Sequence, residues 1–191
     1  MKKHISIFLC FLVCSLIQAS TVLAQAKGEK KGAHYSGVVI ATGGMAGGAS
    51  MWLDMYVDKF TTDEDVVNYL TILKEKGQDA LVRVLEKNDV GRVVAPTGGN
   101  VYLAVARRHE SETGTIVRLF TARPMLFLER YQGTRSTGYP ISLIELMLDK
   151  DGNGQGAVIA AAKVKITNNN QFELESFGNQ YIKIANVRRV D

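Results

Sequence analysis

Hydrophobic and polar positions alternate with a period of two over most of the chain. Residues 50–60 show it best. Met51, Leu53, Met55 and Val57 fall on one face, and Trp52, Asp54, Tyr56 and Asp58 on the other, the signature of a half-buried strand. The β-branched run Val38-Val39-Ile40 within 35–41 predicts a strand before it. The intervening cluster Gly43-Gly44-Met45-Ala46-Gly47-Gly48 predicts a hairpin loop. From Arg92 onward the same period predicts strands over 92–95, 101–108, 115–123, 125–131, 142–149, 157–167, 171–177 and 180–187. They are separated by turn sequences such as Asp151-Gly152-Asn153-Gly154 and Asn168-Asn169-Asn170.

One stretch has the helical period instead. Thr61-Thr62-Asp63-Glu64 offers a capping box, with Thr61 as cap and Glu64 three residues later. Val66, Leu70 and Leu73 follow at helical spacing, and Gly77 is a natural stop. Leu81, Val84 and Leu85 predict a second short helix ending near Asn88. The two form an expected helical hairpin whose apolar stripe must be buried against the sheet.

Tight turns join antiparallel strands, whereas parallel strands need crossovers of a dozen residues or more. The expected class is therefore α+β. It has a largely antiparallel, curved or barrel-like sheet of about eight to ten strands, with one helical hairpin packed on it. No internal repeat and no second domain is visible.

The N-terminus does not belong to this pattern. Lys2 and Lys3 precede an apolar run from Ile5 to Ile17, too short to span a bilayer, and Val22-Leu23-Ala24 fits a cleavage site. Residues 1–24 read as a secretory signal peptide, 25–33 as a flexible lead-in and 34–191 as one domain. Cleavage after Ala24 leaves 167 of the 191 residues. Cys10 and Cys14 leave with the signal, so the expected mature chain has no disulfide, thiol nucleophile or thiolate ligand. It carries 21 basic against 19 acidic residues, a balance that calls for no nucleic acid and no membrane surface. The 46% hydrophobic and 22% charged composition is that of a globular protein.

Chemical motifs are sparse. The glycine cluster lacks G-x-G-x-x-G and a P-loop lysine, and a strand rather than a helix follows it. Asp149-Lys150-Asp151-Gly152-Asn153-Gly154 matches the first half of a calcium loop, but Ala160 stands where the closing Glu belongs. Asp149, Asp151 and Asn153 are at most weak calcium ligands, and a polar hairpin turn is the simpler reading. The mature chain has only His34, at the edge of the lead-in, and His109, with no zinc spacing and no G-x-S-x-G. No cofactor is expected.

Arginine is the more informative residue. Arg107, Arg108, Arg118, Arg123, Arg130 and Arg135 outnumber Glu110, Glu112 and Glu129, interleaved with Phe120, Phe127 and Tyr131. That pattern fits a groove for an anionic or glycan-like ligand, or simply solvated strand faces. Arg118 sits between Ile116 and Phe120, and Glu145 between Leu143 and Met147, where apolar groups are expected. The other faces of these strands are apolar too. The two charges are therefore expected to face the interior and to pair. Trp52, Arg118 and Glu145 are the candidate ligand-binding residues.

Several short motifs resemble an uncharacterised family of exported bacterial single-domain proteins, of the kind found in Acidobacteria-type genomes. They are Gly77-Gln78-Asp79-Ala80-Leu81 leading to Val90-Gly91-Arg92, Thr121-Ala122-Arg123-Pro124, and Tyr139-Pro140 running to Ile144-Glu145-Leu146. Gly152-Asn153-Gly154-Gln155-Gly156 before Ala161-Ala162-Lys163, and Asn186-Val187-Arg188, complete the set. The resemblance spans most of 60–190. The family pattern has Asp at Ala122 and Glu at Gln155. It implies export and one compact domain, and it supplies no catalytic residues.

Together these features lead to an exported protein, periplasmic or secreted, that binds a small molecule, a glycan or a protein partner. It is not stably inserted in a membrane once the signal is gone. A hydrolase of cell-envelope or extracellular polymer and a structural envelope protein are the alternatives. An enzyme should gather polar groups in one concave site. A binding module should show a cavity or an exposed sheet face.

Overall fold

The computed structural model describes residues 32–40, 50–96, 99–123, 125, 138–166, 172–176 and 182–191. The glycine cluster 43–48, the expected signal peptide, the expected lead-in up to Lys31 and nearly all of the expected strand 125–131 lie outside these residues. In chain order the elements are β1 (Ala33–Ile40), β2 (Ser50–Val57), α1 (Asp63–Leu85), β3 (Gly91–Ala95), β4 (Gly99–Tyr102) and β5 (Val105–Ser111). Then follow β6 (Gly114–Thr121), β7 (Ile141–Leu148), β8 (Asn153–Ile166), β9 (Phe172–Ser176) and β10 (Ile182–Arg189). The class is α+β, with one mostly antiparallel sheet and one helix among the described residues.

The ladder runs β4-β3-β2-β1-β10-β8-β7-β6-β5, with β9 paired to β8. Ala162 of β8 pairs with Ile141 of β7 and with Ser176 of β9, so β9 lies on the same side of β8 as β10. The expected strand 101–108 is divided. Its first part pairs with β3 and its second with β6. Leu103 and Ala104 form the joint: Leu103 N–H donates to Gly91 O at 2.8 Å, and Ala104 N–H donates to Phe120 O at 2.8 Å.

This joint dictates the shape. Nine strands laid flat would hold the end strands roughly 40 Å apart, yet two residues join β4 to β5, a reach of about 11 Å. The sheet therefore curls until its ends approach. No ladder links β4 to β5, so it is not closed. One core cluster holds Leu53, Met55 and Val93 from one part of the ladder with Leu119, Ile144 and Leu146 from the other, all fully buried. These are the inward members of the period-two pattern.

Helix α1 covers the outside of the joint. Leu73, Leu81 and Leu85 pack with Ala104, Val105 and Ala122, flanked by Tyr69, Phe120 and Val164. Its cap differs from expectation by one residue. Thr62 accepts from Asp65 N–H, and Asp65 reaches back to Thr62 N–H. Thr61 is unavailable because it is buried against β5, where its N–H donates to Ala106 O and its hydroxyl accepts from Ala106 N–H. The expected two-helix hairpin is one helix interrupted at Gly77, whose φ of 78° and ψ of 178° are not helical. Leu81 and Leu85 stay on the buried stripe across that break.

Ion pairs fasten the periphery. Glu175 on β9 accepts from Lys165 and from the Tyr139 hydroxyl, and these two bonds hold its carboxyl below the ordinary 4.5. Burial pushes the Asp191 carboxyl up, but the His34 N–H and Arg189 outweigh it and leave it below 3.8. Both groups take up protons more readily in the unfolded chain. The stabilisation they give is complete at neutral pH. It fades as pH falls through about 4.5 for Glu175 and 3.8 for Asp191 and on through their lower folded values. Thermal melts taken from neutral pH down to about 3 should show Tm falling in this window, with a smaller fall in Glu175→Gln.

Candidate functional site

The faces of β1 to β4 that point away from the core carry the most distinctive side chains. Register places Tyr102 of β4 opposite Arg92 of β3, Arg92 opposite Tyr56 of β2, and Tyr56 opposite His34 of β1. The four form an unbroken row across four strands. The Arg92 guanidinium carbon lies 4.8 Å from the Tyr56 ring centroid. The rings of Tyr56 and His34 stack at 4.2 Å with 13° between their planes. His34 Nε2 is 3.1 Å from Asp54 Oδ1. Stacking and hydrogen bonding thus hold Arg92, Tyr56 and His34 together, while Tyr102 at the end of the row is 60% exposed.

The next row along the strands is Asn100, Val94, Asp54 and Ser36. Beyond it Trp52, 53% exposed, faces Val38, which in turn pairs with Ala185 of β10. Aromatic, aliphatic and hydrogen-bonding groups share this face, with Trp52 and Tyr102 open to solvent and Ser36 buried. The cause is local sequence: β2 puts Leu53, Met55 and Val57 into the core, so parity sends Trp52, Asp54 and Tyr56 outward. His34, at the edge of the expected lead-in, is an integral part of β1.

The sequence candidates do not converge. Trp52 belongs to the surface just described. Glu145 on β7 lies four strands away and Arg118 on β6 five, about 19 and 24 Å along the sheet. They are directly opposite each other, and Arg118 Nε donates to Glu145 Oε2 at 2.7 Å. The expected pairing is present but the expected interior location is not. Val117, Leu119, Ile144 and Leu146 take the core side, and the pair occupies the other face with its side chains 19% and 21% exposed. That face is also apolar because it carries a second cluster: Phe120, next to Arg118 on this face, packs toward α1. Partial solvation reduces the energy at stake. Glu145→Ala should destabilise by about 1–2 kcal/mol, between the exposed and buried limits. The double variant Arg118→Met, Glu145→Leu should be close to neutral. Urea unfolding of the three proteins checks the contrast.

Asp149, Asp151 and Asn153 form the turn between β7 and β8. Asp149 Oδ1 accepts from the N–H groups of Asp151 and Asn153, both at 2.9 Å. Two backbone donors therefore hold the carboxylate oxygen that a calcium ion would need. Among the described residues no group of three or more His, Cys, Asp or Glu is placed to hold a metal. No helix among them is long and apolar enough to cross a membrane. His109 is exposed on β5. The other arginines of the basic run are dispersed: Arg107 bonds Thr61 O and Asp63 at the start of α1, while Arg108 pairs with Glu110. Arg130 and Arg135 lie outside the described residues.

Compared with protein-family models, with curated proteins and with solved structures, the chain matches none.

Sequence reasoning singled out Trp52 and overlooked Tyr56, Arg92, Tyr102 and His34. The alternation places Tyr56 and Trp52 on one face. Residues from four strands become a row only through the register, which the hairpin lengths set.

Proposed function

We propose that this is an exported binding domain that engages an extended glycan through the outer face of β1–β4. The row Tyr102–Arg92–Tyr56–His34, held together at Arg92, Tyr56 and His34 and open to solvent at Tyr102, is the observation that carries this reading. A sugar ring has an apolar C–H face and a rim of hydroxyls. Aromatic rings match the first, and planar groups such as guanidinium, carboxylate and amide match the second. Here both kinds of group recur at the strand spacing of about 4.8 Å, close to the length of one sugar unit. A protein partner is the second reading, because Tyr, Trp and Arg are also the residues enriched at protein interfaces.

The hydrolase alternative has less support. His34 and Asp54 are bonded, but no hydroxyl is bonded to His34 among the described residues, so a nucleophile–base pair is missing there. Export rests on the N-terminal pattern and on the resemblance to exported bacterial proteins.

Affinity electrophoresis through gels containing xylan, carboxymethylcellulose or glycol chitin tests the reading. At least one polymer should retard the protein, and the combined Arg92→Gln, Tyr102→Ala variant should migrate freely. Equal migration of the parent protein with and without every polymer would overturn it.

A further inference from the structure

Most inward positions of the curled sheet are apolar. Thr121 and Ser142 are buried polar exceptions toward one end, and at the other end the inward positions turn charged. There Tyr35, Arg108, Glu110, Thr115, Leu148 and Arg189, with the turn 149–152, line a cavity of about 270 Å³. It lies away from the β1–β4 outer face, and its residues come from β1, β5, β6, β7 and β10. A volume of this size suits one small molecule at the mouth of a sheet of this kind.

Tyr35 is the first clue. The residue is only 1% exposed, and its hydroxyl makes no hydrogen bond to any described residue. Yet no fully buried side-chain nitrogen or oxygen among the described residues is left without a partner. The hydroxyl must therefore be the part of Tyr35 that reaches the cavity. A hydroxyl at the cavity wall can donate to whatever occupies the cavity, and a ligand atom there would take the place of water. Burial pushes the Tyr35 ionisation up, while Arg189 and Arg108 pull it the other way. Both guanidinium groups thus act on this hydroxyl, which stays protonated and able to donate.

The arginines are the second clue. Arg108 forms an ion pair with Glu110 at 3.2 Å and lies over the Phe60 ring at 5.1 Å. Arg189 donates its Nε–H to Asp191 at 3.3 Å. Each guanidinium has five N–H donors, so most remain unused by the described residues. A pair of partly unused planar forks is a receptor for a carboxylate.

Charge balance narrows the class. Arg108, Arg189 and Lys150 line the cavity with Glu110, Asp149 and Asp151. The lining is neutral in sum, which gives no advantage to a multiply charged anion such as phosphate. It favours a ligand that carries both signs. We infer that this cavity binds a small zwitterion of the free α-amino acid class. Its carboxylate lies between Arg108, Arg189 and the Tyr35 hydroxyl, and its ammonium lies toward the acidic rim.

Thermal shift and calorimetry on the full domain test this, with the common L-amino acids at millimolar concentration as probes and inorganic phosphate, acetate and glucose as comparators. One or more amino acids should raise Tm by a few degrees, and phosphate and glucose should not. Arg189→Lys keeps the charge but loses the fork, and should weaken binding about tenfold or more. Tyr35→Phe should weaken it severalfold, while Arg92→Gln on the outer face should leave it unchanged. Circular dichroism confirms that each variant is folded. The inference is overturned if no amino acid shifts Tm, if phosphate shifts it equally, or if Arg189→Lys binds as tightly as the parent.

Discussion

Leu103→Ala should be among the most damaging single substitutions in this domain. Leu103 is fully buried in the core cluster and is one of the two residues that join the ends of the sheet. Its N–H bonds Gly91 O, and its carbonyl accepts from Val90 N–H at 2.9 Å. Truncation removes three carbons from a site that cannot collapse, because the backbone on both sides is tied to different strands. The expected loss is about 4 kcal/mol, a large part of the ~5–15 kcal/mol that holds a domain together. In a chain of this size it should lower Tm by about 10 °C. Val67→Ala on the exposed side of α1 is the control, since Val67 is 62% exposed, and should stay within about 0.5 kcal/mol of the parent. Equal stability of the two variants would mean that the joint does not hold the sheet's ends together.

Gly91→Ala should be as severe, for a different reason. Gly91 opens β3 at φ 146°, and a Cβ there would lie 2.1 Å from Tyr56 O. Neither side-chain rotation nor a rotamer change relieves a clash with a neighbouring strand's backbone. Backbone strain of about 1–3 kcal/mol and overpacking of about 1–3 kcal/mol add to roughly 4 kcal/mol. Gly77→Ala separates the two contributions. Its φ is 78° but nothing lies within 4 Å of its Cβ, so only the strain of about 1–3 kcal/mol applies. Denaturant midpoints should rank parent, Gly77→Ala, then Gly91→Ala. Gly91 also sets the β2–β3 register that brings Arg92 opposite Tyr56. A folded but destabilised variant should therefore lose the outer-face row as well.

The strand alternation and the helix were legible from residue types because they are local properties. The core positions Leu53, Met55, Leu119 and Leu146 follow from period two alone, and the stripe Leu73, Leu81 and Leu85 from the helical period. What stayed hidden was long-range. The strand 101–108 gave no sign of dividing at Leu103, because Leu103 and Ala104 are as apolar as any strand residue. The division appears only when β3 and β6 compete for the two halves. The cap moved from Thr61 to Thr62 because a tertiary contact, Thr61 on Ala106, overrode an equally good local box. Arg118 and Glu145 were placed inside on the premise that an apolar face faces a single core. The sheet has two apolar clusters, one on each side, so the premise failed while the pairing held. The row on β1–β4 and the cavity at Tyr35 both depend on residues separated by tens to more than a hundred positions, and no spacing rule in the sequence brings them together.

The central claim is that the outer face of β1–β4 receives the ligand, and Trp52 can report on it without any label. It is the single tryptophan of the chain and sits half exposed on that face. Titration of the protein with oligosaccharides cut from whichever polymer retards it should shift Trp52 emission to the blue and protect it from acrylamide, with saturation. Arg92→Gln should displace the curve to about tenfold higher concentration. Saturable binding by calorimetry with unchanged Trp52 emission and unchanged acrylamide quenching would place the ligand elsewhere and contradict the account.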